Sequence, residues 1–171
     1  SNHMSTLSVD TIQGQTTAAN VKLPAGAVLQ TLQTQDNTFT ANTSSSYVAT
    51  GLYLAITPKY ATSKILVSII INGIFVNAVT TAGSLALYAD SGSGDTSLIE
   101  FDNNLGYVEA GSGRIFGASS GFQYLHDINT TNATTYKVYM KRATGSGSVY
   151  LNNYATSAVT RCSIVCQEIA Q

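Results

Sequence analysis

The hydrophobic positions of this chain follow the two-residue period of β-strands. The clearest case is residues 65–71, a nearly unbroken β-branched run that follows a short polar turn. Because successive strand side chains point to opposite faces, one face would carry Ile65, Val67, Ile69 and Ile71. The other face, with Leu66, Ser68 and Ile70, is also largely apolar, whereas a lone antiparallel sheet normally leaves one face polar. The run therefore predicts a strand covered on both faces, by another part of the chain or by a second copy.

Short runs rich in Tyr, Val, Ile and Thr recur along the chain, separated by clusters of Gly, Ser, Asn and Asp. Such clusters are typical of turns, and no segment shows convincing helical spacing. The predicted strands cover residues 27–34, 47–57, 64–76, 84–88, 97–101, 114–118, 122–126, 135–142, 147–152 and 161–170. Many short strands at this spacing predict an all-β fold, an antiparallel β-sandwich of jelly-roll type.

The strand that begins at Thr135 shows the alternation of a sheet with one wet face. Its core side would carry Tyr136, Val138 and Met140. Its solvent side would carry Lys137, Tyr139 and Lys141.

The sequence divides into a three-residue tag remnant, an N-terminal arm and one domain. Ser1, Asn2 and His3 read as the remnant of a cleaved expression tag, which makes Met4 the expected native start. Residues 4–26 are polar and weakly patterned and end in a Leu-Pro-Ala-Gly break, so they predict an extended N-terminal arm, although a frayed terminus is the alternative. Residues 27–171 would form the sandwich.

Charge is scarce in this protein. Charged residues make up 10% of the chain, against about 25% in ordinary domains. Eight Lys plus Arg and nine Asp plus Glu give a net charge of −1, without a basic run, which argues against a nucleic-acid binder. The longest apolar run is far shorter than the ~20 residues that span a bilayer, so no membrane insertion is expected.

Two cysteines, Cys162 and Cys166, stand four positions apart near the C-terminus. An extended strand would hold them ~13 Å apart, beyond the ~7 Å that a disulfide allows between Cα atoms. The expectation is two buried thiols that do not pair with each other. A pair across a symmetry axis, or a metal site shared between subunits, is the alternative.

Catalytic candidates are few, and the protein is not expected to be an enzyme. His126 and Asp127 are adjacent on a predicted strand, so their side chains would point to opposite faces and could not form a base and its orienting acid. Glu100 and Asp102 would share a face by alternation, with Glu109 nearby, and paired carboxylates are the machinery of glycoside hydrolysis. Two acids at an exposed strand end are more simply read as solvated.

Metal and ligand candidates are also sparse. Asp90 and Asp95 flank a flexible Gly-Ser loop that lacks the spaced acids and closing Glu of an EF-hand, so a plain turn is expected. No cofactor is predicted. Tyrosine is the available flat amphipathic contact, because the chain has ten tyrosines and no tryptophan. The candidate receptor-facing residues lie near polar loops: Tyr107, Tyr124, Tyr150 and Tyr154.

Several motifs, in order along the chain, resemble small virion proteins of tailed phages, closest to tail-fibre-like proteins of marine podoviruses and myoviruses, including cyanophages. These motifs are TLSVDTIQ, LPAG, TGLYLAITPKYATSKILV, TTYKVYMKR, YLNN and SIVCQEIA. The resemblance implies a β-rich, trimeric structural protein displayed on the virion as a fibre or receptor-binding tip. The chain departs from the pattern after LALYADSGSG, where relatives often carry Arg, and at residues 126–129, where they often carry Asp-Pro. A relative's ligand is therefore not carried over.

Pattern and resemblance together predict a homotrimer, with closed symmetry burying identical patches. The residues expected in the core or subunit interface are Ile65, Val67, Ile69, Ile71, Ile164, Cys166 and Ile169. The expected partners are further copies of the chain, other virion proteins bound through the arm, and a host surface glycan or protein. Three functional classes stay open: a short tail fibre or fibre tip for host attachment, a capsid-decorating cement trimer, and a glycan-binding or glycan-degrading module without a virion role.

Overall fold

Ten β-strands form the described part of the chain. The structure, a computed structural model, describes residues 23–38, 40–107, 109, 118–152 and 160–171. The strands are β1 (Val28–Asp36), β2 (Thr40–Asn42), β3 (Val48–Ile56), β4 (Lys64–Val76), β5 (Ala82–Asp90), β6 (Thr96–Leu105), β7 (Ala118–Asp127), β8 (Thr134–Thr144), β9 (Val149–Leu151) and β10 (Cys162–Ile169). Within those ranges no helix is long and apolar enough to cross a membrane.

The strand order is that of a jelly roll. The first sheet runs β1-β10-β4 with β7 on the far side of β4, and the second runs β3-β8-β5-β6. Antiparallel pairs are nested from the innermost, β5 with β6, outward through β4 with β7 and β3 with β8 to β1 with β10. A ribbon of four nested pairs wrapped into two sheets is the jelly-roll topology. The two short strands extend the first sheet, with β9 on the end of β4 and β2 beside β9. The predicted all-β sandwich is therefore confirmed.

The core lies between the sheets and follows the predicted alternation. From β4, Ile65, Val67, Ile69 and Ile71 are all buried in it. From the facing sheet, Tyr136, Val138 and Met140 of β8 are buried as predicted, while Lys137, Tyr139 and Lys141 are only partly buried. Each strand contributes every second side chain because the two faces of a strand alternate.

The opposite face of β4 is not covered by another described part of the chain, so the covering predicted for it would have to come from a second copy. Ile69 is 1% exposed, whereas Ile70 is 53% exposed. Leu66 and Ser68, on the same face as Ile70, are half-buried. No described element packs over this face, so the described part of the chain covers β4 on one side alone. The apolar character of Ile70 is left unexplained by the fold of a single chain.

Most predicted strands are present, with shifted ends. Residues 40–42 form a strand that the sequence analysis missed, because three residues are too few to show a period. β7 extends over the whole of Ala118–Asp127, beyond the predicted 122–126. The predicted strand at 114–118 falls outside the described residues except for its last position. Residues 4–22 of the predicted arm also fall outside them. Residues 24–27 form a turn whose Gly26 N–H donates to the Ala170 carbonyl at 2.8 Å.

A buried carboxylate holds the turn between β3 and β4. Glu168 of β10 is fully buried. It accepts hydrogen bonds from the backbone N–H groups of Lys59 at 2.8 Å and Tyr60 at 3.2 Å, and from Gln30 Nε2 at 2.6 Å. Burying a carboxylate is unfavourable unless such donors compensate it. Glu168 thereby fixes the turn that leads into β4.

The adjacent residues of β4 provide a test of the core assignment. Ile69→Asp should abolish cooperative folding, because a carboxylate in a dry core costs more than about 4 kcal/mol. Ile70→Asp, one position away, should leave the far-ultraviolet circular dichroism spectrum of the chain nearly unchanged, because this side chain points away from the core. A folded Ile69→Asp variant would contradict the assignment.

The Glu168 contact provides a second test. Glu168→Ala leaves two backbone N–H groups without their acceptor, so the free energy of unfolding should fall by about 2–3 kcal/mol in urea denaturation. The control is Glu109→Ala, the same substitution at an exposed glutamate, which should change it by less than about 0.5 kcal/mol. Equal losses in the two variants would show that the Glu168 contacts contribute little.

A candidate ligand-binding face on the second sheet

The outer face of the second sheet carries a row of tyrosines. Alternation along β8 directs Tyr139 away from the core, between Lys137 and Lys141. The cross-strand register places Ala86 of β5 opposite Tyr139, and Tyr88 opposite Lys137. On β3, Tyr53 lies opposite Lys137 on its other side and is 58% exposed.

Tyr88 contacts two other rings on this face. Tyr88 and Tyr139 are stacked, with centroids 4.0 Å apart and planes inclined at 26°. Tyr47, which precedes β3, meets Tyr88 edge-on at 6.1 Å. Such aromatic pairs are each worth about 0.5–1.5 kcal/mol beyond their area. The rings stand over two small side chains of β5, Ser84 and Ala86, which are fully buried.

Acidic and lysine side chains contact these tyrosines. The Tyr47 hydroxyl donates to Glu100, which also accepts a hydrogen bond from Lys141 Nζ at 3.2 Å. Lys141 Nζ also lies 4.5 Å from the centroid of the Tyr47 ring. The Tyr139 hydroxyl donates to Asp95, which also pairs with Lys137 Nζ at 2.6 Å. We call the surface formed by Tyr47, Tyr53, Tyr88, Tyr139, Asp95, Glu100, Lys137 and Lys141 the tyrosine face.

These hydrogen bonds keep the acids ionised and the phenols neutral. Donation from Lys137, and then from Tyr139, lowers the pKa of Asp95, and donation from Tyr47 lowers that of Glu100. The bond to Asp95 raises the pKa of Tyr139 to about 12. Burial is the main reason that the pKa of Tyr47 is raised, followed by its bond to Glu100. Across the neutral range the face therefore presents a constant set of charges.

The tyrosine face combines three kinds of contact in one rigid area. Aromatic rings offer flat apolar surface, carboxylates accept hydrogen bonds, and ammonium groups donate them. Because the Tyr47 and Tyr139 hydroxyls each engage an acid that a lysine also engages, these side chains are ordered before any ligand arrives. Pre-organisation of this kind lowers the entropic cost of binding.

The tyrosines predicted from the sequence to face a receptor lie elsewhere. Tyr107 is 45% exposed in the turn after β6. Tyr124 points into the sandwich and packs against the core. Tyr150 stacks on Phe75 at 4.4 Å at the end of the first sheet. Tyr154 lies outside the described residues, and the structure does not bring the other three together. The signal that could have found the tyrosine face is the Lys-Tyr-Lys alternation on the solvent side of β8.

Six of the seven residues predicted for the core or interface lie in the core. They are Ile65, Val67, Ile69, Ile71, Ile164 and Cys166. Ile169 lies on the opposite face of β10 from Ile164 and Cys166 and is half-buried.

The predicted pairing of Glu100 with Asp102 on one face is wrong. Glu100 bonds Tyr47 and Lys141 on the outer face of the second sheet, whereas Asp102 accepts a hydrogen bond from Ser120 of the first sheet at 2.6 Å. A register shift in the β5–β6 ladder breaks the alternation, with Glu100 opposite Ala86 and Asp102 opposite Leu85, so that Phe101 is the extra residue. The two carboxylates do not converge on a common site.

The loop between Asp90 and Asp95 is a turn, as predicted. The Asp90 carboxylate accepts from the N–H groups of Gly92 at 2.8 Å and Gly94 at 3.0 Å. Both glycines have positive φ, which suits their lack of a side chain. In the described ranges no three His, Cys, Asp or Glu side chains are grouped to hold a metal ion. Glu109 is exposed.

His126 and Asp127 point apart, as the alternation predicts. His126 Nδ1 shares a 2.8 Å hydrogen bond with the hydroxyl of the fully buried Tyr136. Asp127 pairs instead with Lys64 at 3.0 Å. Burial lowers the pKa of His126, with a smaller opposing effect from Asp127. His126 thus packs at the edge of the core beside a tyrosine, and among the described residues no hydrogen bond joins it to a serine or an acid that could complete a triad.

Both cysteines are buried free thiols on one face of β10, in agreement with the expectation that they do not pair. Burial raises the pKa of Cys166 to about 12, and it also raises the pKa of Cys162. Protonated thiols are poor nucleophiles and poor metal ligands.

No protein-family model and no curated protein matches the chain. Among solved structures, the chain is similar to the structure of infectious bursal disease virus Gx strain, with 11% identity, a TM-score of 0.39 and coverage of 84% of this chain. It is also similar to the infectious bursal disease virus VP2 subviral particle, with 12% identity, a TM-score of 0.43 and 85% coverage. The match spans 37% and 39% of those two chains.

The half-buried His126 predicts a dependence of stability on pH. Its folded-state pKa lies below the unfolded value of about 6.5, so the unfolded chain takes up the proton first and the free energy of unfolding falls as the pH drops below about 6.5. Urea denaturation at pH 7.5 and pH 5.5 should show this loss in the native chain. His126→Gln should show a smaller loss, and an identical loss in both proteins would contradict the assignment.

Proposed function

We propose that this protein is a non-enzymatic virion structural protein, a homotrimer that forms a short tail fibre or fibre tip and attaches the particle to its host. The sequence motifs that resemble phage fibre proteins support the class. The observation that carries the proposal is a surface on the first sheet that is uncharged and partly apolar.

We call this surface the neutral face. It consists of outward residues from four adjacent strands, in register: Thr31, Gln33, Gln35, Ser163, Val165, Gln167, Leu66, Ser68, Ile70, Gly121, Gln123 and Leu125. None of them is charged, and Ile70 and Leu125 are each about half exposed. The ion pair between Lys64 and Asp127 marks one end of the face.

The chemistry of the neutral face suits a contact between copies. Charged residues are depleted at the centre of protein interfaces, and obligate interfaces are more apolar than ordinary surface. Gly121 lies opposite Ile70 in the ladder, and the missing side chain leaves a shallow depression beside that isoleucine. A depression of this kind would let a side chain of a neighbouring copy pack closely against the sheet. The face would therefore be covered on assembly, which would also explain the apolar outer side of β4.

Host attachment is favoured over capsid decoration by the second sheet. An attachment protein needs an outward binding surface, and the tyrosine face is a pre-ordered one on the sheet opposite the neutral face. Residues 4–26 would join the protein to other virion components. A glycan-degrading module is less favoured, because Glu100 and Asp102 do not form an acid pair.

Native mass tests the proposal directly. Light scattering behind a sizing column should give three times the 18.0 kDa mass of the chain. Ile70→Asp and Leu125→Asp should each reduce the trimer to monomer without loss of folding. Val48→Asp, at an exposed apolar residue outside the neutral face, is the matched control and should remain trimeric. A monomeric native protein, or trimers that tolerate both neutral-face variants, would contradict the proposal.

Binding assays with the purified trimer distinguish a tail-fibre protein from a capsid cement protein. A fibre tip should bind host cells and leave empty capsids unbound, while a cement protein should show the reverse.

A further inference from the structure

We propose that the tyrosine face binds an uncharged oligosaccharide. The inference gives a ligand class and a site to the attachment role and rests on that proposed function for its biological meaning. The chemistry of the face supports it independently of the oligomeric state.

The rings and charges are interleaved in the way that a sugar requires. In one row across the sheet, Tyr53, Lys137 and Tyr88 lie on adjacent strands. In the next row Tyr139 lies opposite Ala86, with Glu100 beyond it. A pyranose ring has an apolar C–H surface that can lie on an aromatic ring, and hydroxyls around its edge that need donors and acceptors. Each tyrosine here has an acid or a lysine within one strand spacing.

The reach of the face suits a chain of several sugars. Tyr53 and Tyr88 are separated by one strand, which puts their backbones about 10 Å apart. A short oligosaccharide can therefore contact both rings and cross Lys137 between them.

A polypeptide ligand fits this surface less well. The centre of a protein interface is depleted of charge and excludes water around apolar anchors. Here Lys137 and Asp95, 2.6 Å apart, lie among the rings, and their side chains keep 28% and 27% of their surface exposed. A sugar can replace the water on such groups with its own hydroxyls, whereas an apolar side chain would leave them without partners.

The charge balance selects the kind of sugar. Asp90 lies beside Lys137, at 3.9 Å, so three acids face two lysines across this part of the sheet. The excess negative charge disfavours uronic acids, sialic acids and sulfated chains.

The neutral face lies on the other sheet, so assembly through it leaves the tyrosine face open. Every copy in a trimer would present one site. Several sites on one particle raise the avidity for a repetitive surface polysaccharide, so a weak single site is sufficient for attachment.

The test uses the full chain on an array of immobilised uncharged oligosaccharides built from glucose, galactose, mannose and N-acetylhexosamines. Sialylated and sulfated chains and a parallel array of extended peptides are included. The uncharged chain that binds is then titrated in solution, where tyrosine fluorescence reports the contact because the protein contains no tryptophan.

Three variants locate the site. Tyr88→Ala and Tyr53→Ala should each weaken binding of that oligosaccharide about tenfold. Tyr53 is 58% exposed, so its variant keeps the test valid even if Tyr88→Ala disturbs folding. Tyr107→Ala removes a comparably exposed tyrosine outside the face and should bind like the native chain.

Each contrary result is decisive. Binding confined to acidic sugars or to peptides, absence of binding to every uncharged chain, or equal weakening by Tyr107→Ala and Tyr53→Ala would overturn the inference. A trimer that binds no sugar would contradict the proposed binding site but would still support the proposed assembly. A monomer that binds an uncharged sugar through Tyr53 and Tyr88 would support the site and contradict the proposed assembly.

Discussion

The rest of the structure depends on the burial of one face of β4. This strand pairs with β10 on one side and β7 on the other, and its end also carries β9. Its inward residues, Ile65, Val67, Ile69 and Ile71, meet the core side of the second sheet. A shift of one residue would turn the outward residues Leu66, Ser68 and Ile70 into the core in place of the inward ones. This pattern therefore fixes the register of β4 with its three partner strands.

Glu168 extends the same constraint to the loops. Its carboxylate binds the turn that precedes β4, so the register of β10 against β4 also decides whether that turn is held. A buried acid is an unusual choice for a core strand, and backbone donors on the turn make it tolerable. The polar contact thus specifies one arrangement of strands that hydrophobic packing alone would specify less sharply.

The outer faces of the six-stranded first sheet and the four-stranded second sheet differ in chemistry. The neutral face of the first sheet presents glutamine, serine and aliphatic residues, with the Lys64–Asp127 pair at its end, while the second sheet presents tyrosines with Asp95, Glu100, Lys137 and Lys141. Only 10% of the residues in this chain are charged, so the concentration of charged side chains on the second sheet distinguishes the two surfaces. It underlies the proposal that one sheet contacts copies of the protein and the other contacts a ligand.

The sequence by itself determined the fold class, the inward face of β4, the split between Tyr136 and Tyr139 on β8, and the separation of His126 from Asp127. All of these follow from strand periodicity, which is local. Only the tertiary structure decided that Tyr47, Tyr88 and Tyr139 meet, that Glu100 and Asp102 part at the β5–β6 register shift, and that Glu168 caps a turn more than 100 positions earlier in the chain. Those contacts depend on which strands become neighbours and where a ladder slips, and side-chain alternation within one strand contains neither.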